Sequence, residues 1–187
     1  MRCLIFIDGS NFYYGVKKLI NDDSISLLHF DYKKFGSFLC KNDENCVEMR
    51  YYIGAVKRYS DSKSESMYAN QQRLTALLQR YNIPVIFGTI IRHPDKTFHE
   101  KGVDVRIAVE MIRLARLDKY DKAILISSDT DLVPAIEEVH SLGKQILYVG
   151  FPHNQSFGLT KSSDDLLILR KGDLLNFFPP RTQKLKI

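Results

Sequence analysis

The stretch Cys3-Leu4-Ile5-Phe6-Ile7-Asp8-Gly9-Ser10-Asn11 decides the fold. Its apolar run is continuous and stops at an aspartate and a glycine. A half-exposed strand alternates apolar and polar residues, whereas a strand covered by helices on both faces has no need to, so this run reads as a buried parallel strand. From Asn11 to Ile20, apolar residues fall at Phe12, Val16, Leu19 and Ile20, a helical spacing. A strand, a tight turn and a helix open a βαβ unit.

The rest of the chain repeats that pattern. Asp31 is placed to cap a short helix running to Cys40, with Tyr32, Phe35, Phe38 and Leu39 inward. Val47 to Val56 is a second strand, and Lys57 to Ser64 reads as an exposed polar loop. A helix follows from Glu65 to Tyr81, with Leu74, Leu77 and Leu78 inward, and then a third strand over Pro84–Gly88. Thr89 to Lys101 is polar, basic and aperiodic. Val103 to Leu117 is strongly amphipathic, with Val103, Ile107, Met111, Leu114 and Ala115 on one side. A fourth strand, Ala123–Ile126, leads through Ser127-Ser128-Asp129-Thr130-Asp131 to a helix from Leu132 to Leu142, which Gly143 ends. Gln145–Val149 is the fifth strand. Asp164–Leu169 reads as either a strand or a helical turn, and Phe177-Phe178-Pro179-Pro180 closes the fold. The expectation is one α/β domain over residues 1–180, with a mainly parallel sheet of about five strands and a flexible tail over 181–187.

Bulk properties narrow the function classes. The chain has 187 residues, 44% hydrophobic and 26% charged, an ordinary globular balance. No apolar run approaches the roughly 20 residues that span a bilayer. The first apolar run meets Asp8 without a small-residue cleavage site, so it reads as a strand and not a signal peptide. Cys3, Cys40 and Cys46 make no CxxC pair, which argues against a disulfide framework or a structural zinc site. His29, His93, His99, His140 and His153 lack paired zinc-ligand spacing. A cytoplasmic location without membrane partners is expected. The net charge of +5 and pI near 9.0 point weakly to a polyanionic partner.

Against that basic background, acids gather at strand ends. Ligands of parallel α/β sheets bind beyond the carboxyl ends of the strands, where the strand order reverses. If the first and fourth strands are neighbours, Asp8 and Asp129 share that rim. Asp131 lies two residues on, and Asp104 stands where the basic segment enters its helix. Each alone is a good helix cap or turn residue. Together they repel one another unless a cation neutralises them, and all-oxygen ligands select Mg²⁺ or Mn²⁺. Such an ion suits hydrolytic, in-line attack of water on a phosphodiester. Asn11 is placed to orient a water or a phosphate oxygen, and Ser127 and Ser128 to hydrogen-bond a carboxylate or the substrate. Lys101, beside Asp104, is placed to meet a phosphate.

Three blocks, Phe6-Ile7-Asp8-Gly9-Ser10-Asn11-Phe12, Lys101-Gly102-Val103-Asp104-Val105 and Ile126-Ser127-Ser128-Asp129-Thr130-Asp131-Leu132, together resemble the NYN domain family, the LabA-like or DUF88 branch of the PIN-like nucleases. The resemblance spans about residues 2 to 150. It implies a Rossmann-like, three-layer PIN-like fold and metal-dependent cleavage of RNA. It places metal binding on Asp8, Asp104, Asp129 and Asp131, with Asn11 as the polar residue near the ion, and it allows a homodimer. Family members often read Ser-Gly-Asp-Gly-Asp in the third block, where this chain has Ser128 and Thr130 in the glycine places.

The substrate implied is single-stranded or structured RNA. Lys57 and Arg58, with Arg50, flank the second strand, and Arg92, His93, Lys96, His99 and Lys101 populate the segment before Asp104. These are candidates for the phosphate backbone, with Tyr59 as a base-stacking residue; two solvated loops are the plainer alternative. Tyr51-Tyr52 reads as strand packing. The rival function is a non-catalytic module on the same fold that binds RNA or protein. Small-molecule phosphohydrolases fit poorly: Ser10 stands where a haloacid-dehalogenase-type enzyme needs a second aspartate, and neither GxGxxG nor a P-loop is present.

Overall fold

A computed structural model describes residues 1–22, 25–40, 45–58, 61–92 and 98–180. Seven strands form one sheet, β1 (Arg2–Asp8), β2 (Asn45–Ala55), β3 (Val85–Arg92), β4 (Phe98–Lys101), β5 (Lys122–Ile126), β6 (Gln145–Gly150) and β7 (Asp165–Ile168). Their order is β4-β3-β2-β1-β5-β6-β7. Every pairing is parallel except β3 with β4.

Seven helices cover the sheet: α1 (Gly9–Ile20), α2 (Tyr32–Leu39), α3 (Ser62–Arg80), α4 (Val103–Arg116), α5 (Val133–Ser141), α6 (Phe157–Ser162) and α7 (Lys171–Leu175). The period of two along a strand assigns the layers. Cys3, Ile5 and Ile7 of β1 pack with Phe12, Val16 and Ile20 of α1 and with residues of α2, α3 and α7. Leu4 and Phe6 face the other way, toward Ile107 and Met111 of α4, Ile136 of α5 and Leu159 of α6. Leu4 to Ile7 are each at most 1% exposed, which is why the run needs no alternation.

The domain is therefore the expected three-layer α/β fold, but the sheet has seven strands and not five. The described residues between Thr89 and Lys101 are strand: β3 continues to Arg92, and β4 pairs antiparallel with it, Ile90 opposite Glu100. Antiparallel edge strands keep one wet face, so their sequence lacks a continuous apolar run. The other extra strand, β7, settles the ambiguity of Asp164–Leu169 and follows the unforeseen α6. The loop expected over Lys57–Ser64 is shorter, because α3 begins at Ser62, where the Asp61 carboxylate accepts from Ser64 N at 3.0 Å. A 3-10 turn over Thr130–Leu132 precedes α5. The tail over 181–187 lies outside the described residues, among which no helix is long and apolar enough to cross a membrane.

The chain builds outward from β1 through β2 and β3, then returns to lay β5 on the other side of β1. That reversal puts the carboxyl ends of β1 and β5 side by side, Ile7 opposite Ile126, the place where parallel α/β sheets bind their ligands.

Candidate metal centre

Asp8 ends β1 and caps α1. Its Oδ1 accepts from Asn11 N at 3.0 Å, and its Oδ2 accepts from Asn11 Nδ2 at 2.7 Å and from Ser127 Oγ at 3.0 Å. The residue is 4% exposed. Burial raises its pKa, the Asn11 and Ser127 hydrogen bonds oppose that, and the Asp129 charge adds to it. The turn into α1 is tight because Gly9 fits where a Cβ would lie 2.4 Å from the Tyr51 ring and 2.7 Å from the Tyr52 carbonyl oxygen.

Asp129 follows β5 and caps the 3-10 turn, its Oδ1 accepting from Asp131 N at 3.0 Å. Its own N–H donates to Ser127 Oγ at 3.1 Å, so Ser127 joins Asp129 to Asp8. Asp104 sits in the first turn of α4, behind a left-handed Gly102 with φ 74°, where the helix N-terminus favours an anion. One carboxylate oxygen each from Asp104, Asp129 and Asp131 lies within 4.8 Å of the others. Asp8 stands outside that trio, with both oxygens in hydrogen bonds, and is coupled to it through Ser127 and through charge. Ser128 Oγ donates to Asn11 Oδ1 and accepts from Asn154 Nδ2 at 2.6 Å.

The donor set fits a hard divalent cation. Ligand oxygens around Mg²⁺, at bonds of about 2.1 Å, stand about 3–4 Å apart, close to the span already present. Three oxygens and no nitrogen or sulfur exclude a zinc-type preference.

One acid escaped the sequence reading. Glu100 on β4 accepts at Oε2 from Gly54 N at 2.5 Å and from Ser10 Oγ at 3.1 Å. Gly54 has no side chain because a Cβ there would lie 2.9 Å from that oxygen. Burial raises the Glu100 pKa, and the charges of Asp8 and Asp104 add to it. The only signal was an acid three residues before Val103, hidden by the cations around it.

A carboxyl with a raised folded pKa contributes stability below its ordinary value, and that contribution is lost as pH rises through the folded value. Glu100→Gln keeps the oxygen that accepts from Gly54 and Ser10 but cannot ionise. In EDTA, between about pH 5 and 8, the wild type is expected to lose more melting temperature than Glu100→Gln. Thermal melts across that range check this, and parallel profiles would refute it. Carboxyls held low elsewhere, such as Asp164 beside His140, contribute equally to both proteins.

The candidate substrate residues are scattered. Lys57 and Arg58 are exposed just beyond β2, on the acidic rim, and Arg58 reaches Glu65 at 3.3 Å. Lys101 is exposed at the end of β4. Arg50 is not on the rim: it lies mid-strand opposite Phe6, with Nη1 2.7 Å from Glu110 and Nε 3.0 Å from Glu48. Tyr51 and Tyr52 are core residues, 1% and 0% exposed. Tyr59, His93 and Lys96, and the side chains of Arg92 and His99, lie outside the described residues.

Fold and site together define a three-layer α/β domain with an aspartate cluster at its topological switch. The NYN domain matches residues 2–170. The chain belongs to the NYN domain family. Among solved structures, a protein of unknown function from Vibrio parahaemolyticus is similar with a TM-score of 0.67 and 21% identity, over 95% of this chain and 96% of that one; the likeness is one of fold. No curated protein matches the chain.

Proposed function

We propose that this protein is a metal-dependent ribonuclease that hydrolyses RNA phosphodiester bonds at the aspartate cluster. The observation that carries this reading is the convergence of Asp104, Asp129 and Asp131 oxygens within 4.8 Å at the end of β5. Family membership supports the same activity, and the basic balance of the chain supports a polyanionic substrate.

Asp104, Asp129 and Asp131 would hold Mg²⁺ or Mn²⁺, with Asp8 joined to Asp129 through Ser127. Bound there, such an ion supplies Lewis acidity to a phosphate oxygen and an acidified water. The chain's own groups do the positioning. Asp8 fixes the Asn11 amide and the Ser127 hydroxyl, and Ser127 fixes the backbone at Asp129. Asn11 and Ser128, tied to each other, present a neutral polar edge for a phosphate oxygen or a water. Lys57, Arg58 and Lys101 stand at strand ends on the same side and offset phosphate charge. None of the three cysteines is in a disulfide, which fits work in the reducing cytoplasm.

The test is cleavage of single-stranded RNA with Mn²⁺ and with EDTA. Fragments should appear with the metal alone. Equal cleavage in EDTA, or none with either Mg²⁺ or Mn²⁺, would sink the proposal and favour the binding-module alternative.

A further inference from the structure

Away from the acids, the exposed face of α1 continues the site. Asn11, Tyr14 and Lys18 are spaced three and four residues apart, so they share one helix face. The rise from Asn11 to Lys18 is about 10 Å, the reach of the neighbouring nucleotides of a strand held at the acids. Tyr14 is 67% exposed, and the Tyr13 ring meets it edge-on at 5.2 Å. Past Tyr14 lies an open surface hollow of about 330 Å³ lined by Tyr14, Lys17, Lys18, Asn21 and Asp22.

The loop from β6 to α6 completes this surface. Gly15 of α1 lies flat against Phe151, where a Cβ would approach the ring to 2.3 Å. Phe151 in turn packs on His153 at 5.9 Å. Burial lowers the His153 pKa and the Lys18 charge adds to that, which puts Lys18 beside the same loop. Asn154, one residue on, donates to Ser128, and Ser128 donates to Asn11. Helix and loop are thus joined at Asn11 through Ser128 and at Gly15, with the Lys18 charge near the same loop. The lining offers the Lys18 ammonium and the exposed face of Tyr14. This combination matches a single-stranded polyanion whose bases are free to stack.

From this arrangement we infer that the α1 face is the track for single-stranded RNA flanking the cleaved bond, with a base on Tyr14 and a phosphate on Lys18, leading the strand along the hollow at the end of α1. The inference rests on the nuclease reading above. It predicts binding that survives removal of metal, because Tyr14 and Lys18 need no ion.

The experiment measures fluorescence anisotropy of a labelled single-stranded oligouridylate in EDTA over a salt series. Wild type, Tyr14→Ala, Lys18→Ala and Lys33→Ala are compared; Lys33 is an exposed lysine on α2, so its variant controls for the loss of one charge. Tyr14→Ala is expected to bind at least about fivefold more weakly. Lys18→Ala is expected to flatten the slope of log K against log salt by about 0.7, whereas Lys33→Ala leaves it unchanged. All three side chains are exposed, so the fold is retained, which circular dichroism verifies. If the wild type cleaves RNA with Mn²⁺ but Tyr14→Ala and Lys18→Ala bind like Lys33→Ala, the track is overturned and the nuclease reading stands. If both variants lose binding while the wild type cuts nothing, the α1 face stands as an RNA-binding surface, and the nuclease reading falls together with the track's role beside a cleaved bond. Failure of the wild type to bind, with capture of a protein at this face instead, would also overturn the inference.

Discussion

Asp129→Asn is expected to lower Mn²⁺-dependent RNA cleavage by about 100-fold or more, since disturbing even the residues behind metal ligands costs about 10- to 100-fold. The variant is chosen for what it preserves. Asp129 Oδ1 accepts from Asp131 N, and an asparagine oxygen does the same, so the 3-10 turn keeps its cap. The metal-free protein should melt no lower than wild type, because one of the crowded negative charges is gone. Mn²⁺ should raise the melting temperature of wild type by mass action and that of the variant much less. Cleavage and a metal-induced shift that both persist in Asp129→Asn would remove this residue from the site. Asp8→Asn is a poorer tool, since Asp8 Oδ2 accepts from two donors and an amide nitrogen there would face the Asn11 amide group.

The largest structural effect is expected at Gly9→Ala. Alanine is the better helix former by about 0.5–1 kcal/mol, so propensity alone favours the change. Sterics oppose it and win. The new Cβ would lie 2.4 Å from a Tyr51 ring atom and 2.7 Å from the Tyr52 carbonyl oxygen. Tyr51 is enclosed, and Tyr52 belongs to a strand bonded on both sides, so neither can yield. A cost of about 3 kcal/mol follows from overpacking, or a drop of about 6–12 °C for a chain this size. Because Asp8 is the preceding residue, cleavage should fall as well. Gly172→Ala is the counterpart: nothing lies within 4 Å of its Cβ, and that variant should melt at or slightly above wild type. A neutral Gly9→Ala would show that β2 shifts more readily than its pairings allow.

Those residues also show how far the sequence could be read. The uninterrupted run Cys3–Ile7 declared a strand covered on both faces, and its end at Asp8 declared the rim. Neighbouring β1 and β5, on which the convergence of acids depended, followed from the reversal expected of parallel sheets. Asp104, Asp129 and Asp131 were legible because each stands where a helical segment begins, where local chemistry limits the choices. Glu100 was not, since its place depends on a four-residue antiparallel edge strand whose wet face carries no period. Asn154 was equally hidden, because only the approach of the β6–α6 loop to β5 brings it to Ser128. Arg50 looked available for phosphate and is not, because its partner Glu110 lies 60 residues away on another element. Short-range pattern reveals strand ends well and long-range pairing poorly.

The acids come from residues 8, 104, 129 and 131, on both sides of the switch between β1 and β5. No fragment of the chain short of Asp131 contains the cluster, and none lacking β5 can bring its halves together. A growing polypeptide therefore assembles this group of acids only once β5 has joined the sheet beside β1.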